Sequence, residues 1–490
     1  MSVEPEPSDK ISGFDEKIPK GQMISFGFSK FGWVMLAGVM GFLVYFYQIK
    51  LGLGWQYISL AFLIYAIWNA LNDPLFGIMS DRTHHKLGRR IPYMRYGAPF
   101  LSIAFIMLWV PFVTGSDQLG LFFYLLLILF FYDSFFTLVV IVNISLLGEM
   151  ALTAKNRTKI SYVSGIIAGV GSVLAALIPP MLLFNKQPLQ KPIDPFQIFV
   201  IVIGIISFVT IFLSSYLLKE KIIFSREEQP GFFEAIKFTL KNRAFVILEV
   251  AIFFGVFLST FVGTGLSYYI DYVLNLQGFD ASVPLIFFFL VNLCGGFIFM
   301  RLASKYGMRK PLILSLPILM GGLLLVFFPT NLYETILPIM LIGIAISAFM
   351  VFMDPLLMDC ADKDELQSGV RRESSFFGVN ALITKPAESV AVAAFIGILV
   401  ATFSFVEPVI DVYGIAIPQI QPAIAIFGIR FLMSVFPALM LVILLVVAYF
   451  YPLDGPKYRE MKLQVQKLHE EKEKRMLERA AEEGLLDQET

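Results

Sequence analysis

Twelve apolar runs, each long enough to cross a bilayer, leave this chain very little choice of environment. They lie near 23–49, 56–80, 93–114, 119–147, 158–184, 196–218, 243–273, 282–303, 310–329, 332–357, 376–405 and 422–451, and about 20 helical residues span the roughly 30 Å of hydrocarbon. The runs are continuous and not alternating, which fits helices and not barrel strands. A helix also satisfies its own backbone hydrogen bonds, as lipid demands. With 57% hydrophobic and only 16% charged residues, the chain lacks the polar side chains to cover a water-facing surface. The expected fold class is all-α and integral to a membrane, with twelve transmembrane helices.

Charge is informative by position. Lysine plus arginine and aspartate plus glutamate balance at 38 each, which argues for neither nucleic acid nor an acidic partner. Alternate connections are basic: Arg82, Lys86, Arg89 and Arg90; Lys155, Arg157 and Lys159; Lys219 to Arg243; Lys305, Arg309 and Lys310; Lys363, Arg371 and Arg372. The opposite connections hold little beyond Lys50, Lys186 and Lys191. The positive-inside rule then places the basic loops and both termini in the cytoplasm, in a multi-pass protein of the cell membrane. Residues 1–22 lack a basic segment leading to a cleavage site and read as a retained cytoplasmic tail. The basic stretch 219–242 falls at the midpoint and suits a connector between bundles 23–218 and 243–451, with Phe232, Phe233, Ile236 and Phe238 on an interfacial helix. Residues 452–490 read as a charged, solvated helical tail.

One spacing recurs. Gly77, Arg82, Gly88, Arg90 and Pro92 are matched 219 positions later by Gly296, Arg301, Gly307, Arg309 and Pro311. Each set closes the second helix of a half and opens the third, which implies a parallel repeat of six helices. The glycines allow tight turns and close helix approach, and the arginines can hold helix C-terminal carbonyls or acidic partners. A plain basic loop with glycine turns explains either copy alone; the repetition points to a gate, with Asp81, Arg82, Gly88, Arg89, Arg90, Arg301 and Arg309 as its residues. Glu149 with Arg157 and Asp362 with Arg372 read as latch pairs at the same face.

The stretch Gly77 to Arg90, GIMSDRTHHKLGRR, resembles the loop signature of the major facilitator superfamily. The longer run Asn72 to Pro92, with Val44 to Leu53 (VYFYQIKLGL) and Lys363 to Lys385 (KDELQSGVRRESSFFGVNALITK), is similar to the glycoside-pentoside-hexuronide:cation symporters typified by melibiose permease. The resemblance extends to about residue 450. It implies two pseudo-symmetric six-helix bundles, alternating access, a small-molecule substrate and a coupling cation, Na⁺ or H⁺, with no other cofactor. It also implies that Asp73 belongs to the cation site and that Lys385 is linked to the cation and sugar sites. Three acids of that family fall here on Val34, Asn69 and Val140, so their roles do not carry over.

The residues themselves support part of this. An ionisable group in mid-membrane costs about 2.5–3.5 kcal/mol on insertion scales, so it needs a partner or a task. Asp73 lies one turn from Asn69, and a carboxylate with an amide at i and i+4 can offer oxygen ligands to Na⁺ or H⁺; a structural cap is the other reading. Lys385 lies about ten residues into its run, where snorkelling is hard, and we expect it to approach Asp73 across the two halves. Asp133, seven residues before Val140 on nearly the same face, reads either as a relocated acid or as a group satisfied near the outer end of the fourth helix. Glu249, Asp354 and Arg430 read as structural pairs. Tyr45, Tyr47, Trp68, Tyr268 and Tyr269 are eligible to stack on a sugar, Tyr45 and Trp68 above the others.

No hydrolase or nucleotide motif surrounds His84, His85 and His469, and Cys294 and Cys360 have no disulfide or metal spacing. The expected protein is no enzyme but a secondary carrier, functional as a monomer in lipid, for a sugar or glycoside with a cation. Transport of a lysolipid or another amphiphile is the second reading, and a non-transporting sensor or scaffold the third.

Overall fold

A computed structural model describes residues 18–450 apart from 82, 84, 151–153, 186, 190–192, 219–231 and 370–372, together with 458, 460–465, 467–468 and 471. Among these, eleven helices are long and apolar enough to cross a membrane. The first half comprises α1 (Lys20–Met40), α2 (Trp55–Asp81), α3 (Ile91–Trp109), α4 (Gln118–Met150), α5 (Ala154–Leu183) and α6 (Pro195–Leu217). After a short amphipathic helix, Phe232–Thr239, the second half follows as α7 (Arg243–Tyr268), α8 (Phe279–Tyr306), α9 (Arg309–Leu325), α10 (Leu332–Ser368) and α11 (Glu373–Phe403). The last span, α12, is Ala423–Met433, interrupted at Ser434 and resumed as Val435–Tyr449. The expected ninth run is realised as α9, whose 17 residues reach only about 26 Å.

Large apolar side chains point outward as freely as inward: Ile67, Leu127 and Leu293 are each at least 65% exposed. That surface suits lipid and not water. Helix ends carry polar closures. Asp194 and Gln197 form a reciprocal capping box at α6, and Asn242 and Asn331 cap α7 and α10. Gly307 (φ 80°) and Gly369 (φ 74°) end α8 and α10 in conformations that other residues adopt only at a cost.

Two departures from the sequence reading matter. Helix α10 runs to Ser368, well beyond the expected limit of 357, and carries Asp359, Asp362 and Glu365 in its last turns. Helices α1 and α7 do not end as plain α-helices. Past Gly41 the chain resumes as Leu43–Tyr45 and then a π turn, Phe46–Lys50, while α7 passes directly into a π turn, Tyr269–Val273. The two halves meet where α2 packs on α11, where α5 packs on α8, and where these two π ends touch.

Candidate functional site

Two half-buried charges inside the spanning helices each precede a proline. Pro74 follows Asp73 in α2, and Pro386 follows Lys385 in α11. A proline offers no N–H, so the carbonyls of Ala70 and Leu382 lose the donor a regular helix would supply, and both helices can bend at the site. Asp73 lies about 27 Å along α2 from its start at Trp55 and about 12 Å from its end at Asp81, inside the apolar span that runs to Gly77.

The α2–α11 contact brings the two together: Lys385 Nζ lies 2.5 Å from Asp73 Oδ1. Lys385 also donates to Asn72 Oδ1 at 3.2 Å. The Asn72 amide in turn donates to Asp133 Oδ2 and, at 3.1 Å, to Thr137 Oγ1, both on α4. Tyr65, two turns before Asn72, donates to Asp133 Oδ1 at 2.9 Å. Asn72, Asp133 and Thr137 are buried, whereas the Lys385 and Asp73 side chains each keep 22% exposure. An ammonium and two carboxyls thus share one hydrogen-bonded group, spanning α2, α4 and α11 and open on one side. Such a group can pass a cation or proton between carboxylates while Lys385 balances their charge.

Of the residues singled out from sequence, Asp73, Lys385 and Asp133 assemble, and Asp133 is the α4 carboxyl of the group. The amide at the centre is Asn72. Asn69 is buried one turn away, with no side-chain hydrogen bond to either charge among the described residues. Trp68 lies flat on Phe130, with ring centroids 5.6 Å apart and 18° between the planes, so one face is covered; its Nε1 has no partner among the described residues. Glu388, one turn beyond Lys385, was missed. Among the charges it faces are Lys385, Asp133 and Asp73.

Tyr45 is elsewhere, in a fully buried layer at the end of the bundle opposite the termini. Its Oη donates to Asp271 Oδ2 at 2.6 Å, and Tyr268 Oη donates to Gln48 Oε1. The two tyrosine rings meet edge to face, 5.5 Å apart. Beside them, Glu407 accepts from Trp55 N at 2.6 Å and from the Gln48 amide at 3.5 Å. Burial pushes the Glu407 carboxyl up, against those two hydrogen bonds. Lys50, beyond the spanning part of α1, donates to Asn185 Oδ1 at 2.6 Å and to Gln187 O at 2.8 Å, and burial lowers its ammonium to about 8.

At the opposite end, both glycines of the repeated motif hold left-handed backbone, Gly88 at φ 103° and Gly307 at φ 80°. Arg89, Arg90 and Arg309 are half-buried and Arg301 is exposed. The side chains of Asp81, Glu149 and Arg157, and residues Arg82 and Arg372, lie outside the described residues. The pairing of Asp362 with Arg372 therefore lies outside the described residues; the partner described for Asp362 is Lys462 of the C-terminal tail, which reaches Asp359 Oδ1 at 2.5 Å and Asp362 Oδ2 at 2.7 Å. This part of the tail is thus docked on α10 and not merely solvated.

A family model described as MFS/sugar transport protein matches residues 25–455. The chain belongs to this family. Relatives include the symporter YnaJ of Bacillus subtilis, 26% identical over 87% of this chain and 90% of its own, and the glucuronide carrier protein homolog of Escherichia coli, 23% identical over 86% and 90%. Among solved structures, the inward-facing, unoccupied bacterial homolog of the lysosomal transporter Spinster overlays with a TM-score of 0.63 at 14% identity, covering 88% of this chain and 96% of that one. The nucleoside transporter NupG overlays at 0.60 and 11%, covering 88% and 100%. The fold is that of the major facilitators. The protein is a multi-pass membrane transporter and not an enzyme.

Proposed function

We propose that the protein is a cation-coupled symporter for a sugar or glycoside, working as a monomer by alternating access between bundles 23–218 and 243–451, with 219–242 as their connector. The observation that carries this reading is the Lys385–Asp73 pair, which joins α11 of one half to α2 of the other and is tied through Asn72 to Asp133. A lysine that neutralises a carboxylate can be displaced by Na⁺ or H⁺, and the carboxylate it leaves differs in charge and position. Ion binding thereby favours one arrangement of the halves over the other.

Orientation follows from the basic loops, which put both termini and the tail 452–490 in the cytoplasm. The sealed layer of Tyr45, Gln48, Tyr268 and Asp271 is then the outer gate, and the partly exposed pair is reached from the cytoplasmic side. The repeated Gly/Arg loops serve the inner gate. Asn69 completes the cation's surroundings when the α2 carboxylate is released from Lys385.

Purified protein in liposomes tests the reading through uptake of a glycoside panel, with lysolipid as control, with and without a Na⁺ or proton gradient. Gradient-driven glycoside uptake supports it. Uptake of lysolipid alone moves the substrate to the amphiphile class, and failure to move any solute overturns the carrier reading.

A further inference from the structure

Glu388 is an oddity of α11. It is exposed, yet Ala387, Ser389 and Ala391 around it are buried, and the charges it faces are those of the central cluster, Lys385, Asp133 and Asp73. Tyr65 senses it as well. The interaction of Glu388, three residues on from Lys385, with these charges puts its carboxyl on the side of α11 that carries Lys385. It makes no hydrogen bond or ion pair among the described residues.

The ammonium of the cluster is engaged, and two arginines of the spanning helices are held elsewhere. Lys385 is held by Asp73 and Asn72. Arg95 on α3 binds Ser215 and lies over the Tyr216 ring, and Arg430 on α12 donates to the Phe327 carbonyl. Lys30, half-buried on α1, has no ion pair with the cluster among the described residues. The cluster therefore sets three carboxyls against one paired ammonium: Asp73 is paired with Lys385, Asp133 is buried and hydrogen-bonded, and Glu388 is the exposed one. Carboxylates accept hydrogen bonds from hydroxyls but repel an anion.

We propose that Glu388 is a substrate-facing specificity residue that admits neutral or cationic polyhydroxyl solutes and excludes sugars bearing a carboxylate. The inference rests on the sugar-carrier reading and adds to it the charge class of the solute. Specificity of this kind comes from a repulsive group as much as from an attractive one.

The test uses matched pairs of nitrophenyl glycosides that differ only at C6, where a hydroxymethyl group is replaced by a carboxylate, as in the glucoside and the glucuronide. Wild-type protein in liposomes is expected to take up the neutral member at least about tenfold faster, and Glu388→Gln to narrow that ratio by on the order of tenfold. Lys30→Met leaves the ratio unchanged. Equal uptake of both members by the wild type, or an unchanged ratio in Glu388→Gln, overturns the inference alone. Absence of uptake of either member by the wild type overturns the sugar reading beneath it.

Where Glu388→Gln fails to fold, Glu388→Cys in a background with Cys294 and Cys360 replaced by serine gives a second readout. A cationic thiosulfonate is expected to label it, and the neutral glycoside to protect it. An unreactive thiol, or labelling that the glycoside does not slow, overturns the inference.

Discussion

At the scale of single residues, the central pair sets the sharpest expectations. Removing one member of a partly enclosed ion pair leaves the other without its counter-charge, so Asp73→Asn or Lys385→Met alone should cost about 2 kcal/mol of stability, and the double variant less than the sum. Thermal unfolding of the three variants in detergent measures this as a double-mutant cycle. All three should lose ion-dependent uptake. Lys50 gives a pH signature. Its folded-state ammonium titrates near 8, against 10.5 when unfolded. Between those values the unfolded chain holds the extra proton, so stability rises with pH across the window, by up to about 3 kcal/mol. Lys50→Met should remove that rise, which shows as a converging melting-temperature difference between variant and wild type from pH 8 to 10.5. Asp73 and Lys385 were legible because a charge inside an apolar run stands out. Asn72 and Glu388 were not, since which side of a helix faces the cavity depends on its neighbours and on the bends at Pro74 and Pro386.

At the scale of elements, the π ends of α1 and α7 repeat one another. Tyr45 and Tyr268 lie 223 positions apart, as do Gln48 and Asp271, and Gly52 and Asn275. The backbone follows suit. Leu51 N bonds to Phe46 O and Leu274 N to Tyr269 O, Leu53 N to Tyr47 O and Leu276 N to Ile270 O, and Gly52 and Asn275 both take positive φ. Each tyrosine bonds to the residue that corresponds to the one three positions after itself, on the other half. The sequence showed this segment only as the end of an apolar run, because the partners lie more than 200 residues apart and the π winding depends on their meeting. Tyr45→Phe and Tyr268→Phe should each weaken the seal by about 1 kcal/mol, a roughly fivefold shift in favour of the open outer end, with the double variant close to their product. Reaction rates of a cysteine placed below the layer with a membrane-impermeant reagent read that shift.

At the scale of the whole molecule, the repeat is legible but not uniform. The Gly/Arg loops recur at a spacing of 219, the π ends at 223. Second-half residues between those points are thus four fewer, about one helical turn. The chemistry is unequal too, since Asn292 stands at the 219 spacing opposite Asp73 and donates to Gly343 O. The C-terminal tail adds a tie to α10 through Lys462. Truncation after residue 457 should leave Asp359 and Asp362 without their ammonium and lower the melting temperature by a few degrees, with Lys462→Ala giving most of the loss and Lys462→Arg little. Twelve spans and two halves could be read from hydropathy and loop charge. The docked tail could not, because a lysine in a run of charges carries no mark of its partner.

The crossed tyrosines also bear on inheritance. Tyr45 depends on Asp271, 226 positions away along the chain, and Tyr268 depends on Gln48, 220 away. A substitution in either acceptor is therefore felt in the opposite half, and its compensation must arise there as well. Among descendants of this sequence, positions 45 and 271, and 48 and 268, should change together, so that at this one layer the two repeated halves evolve as a single unit.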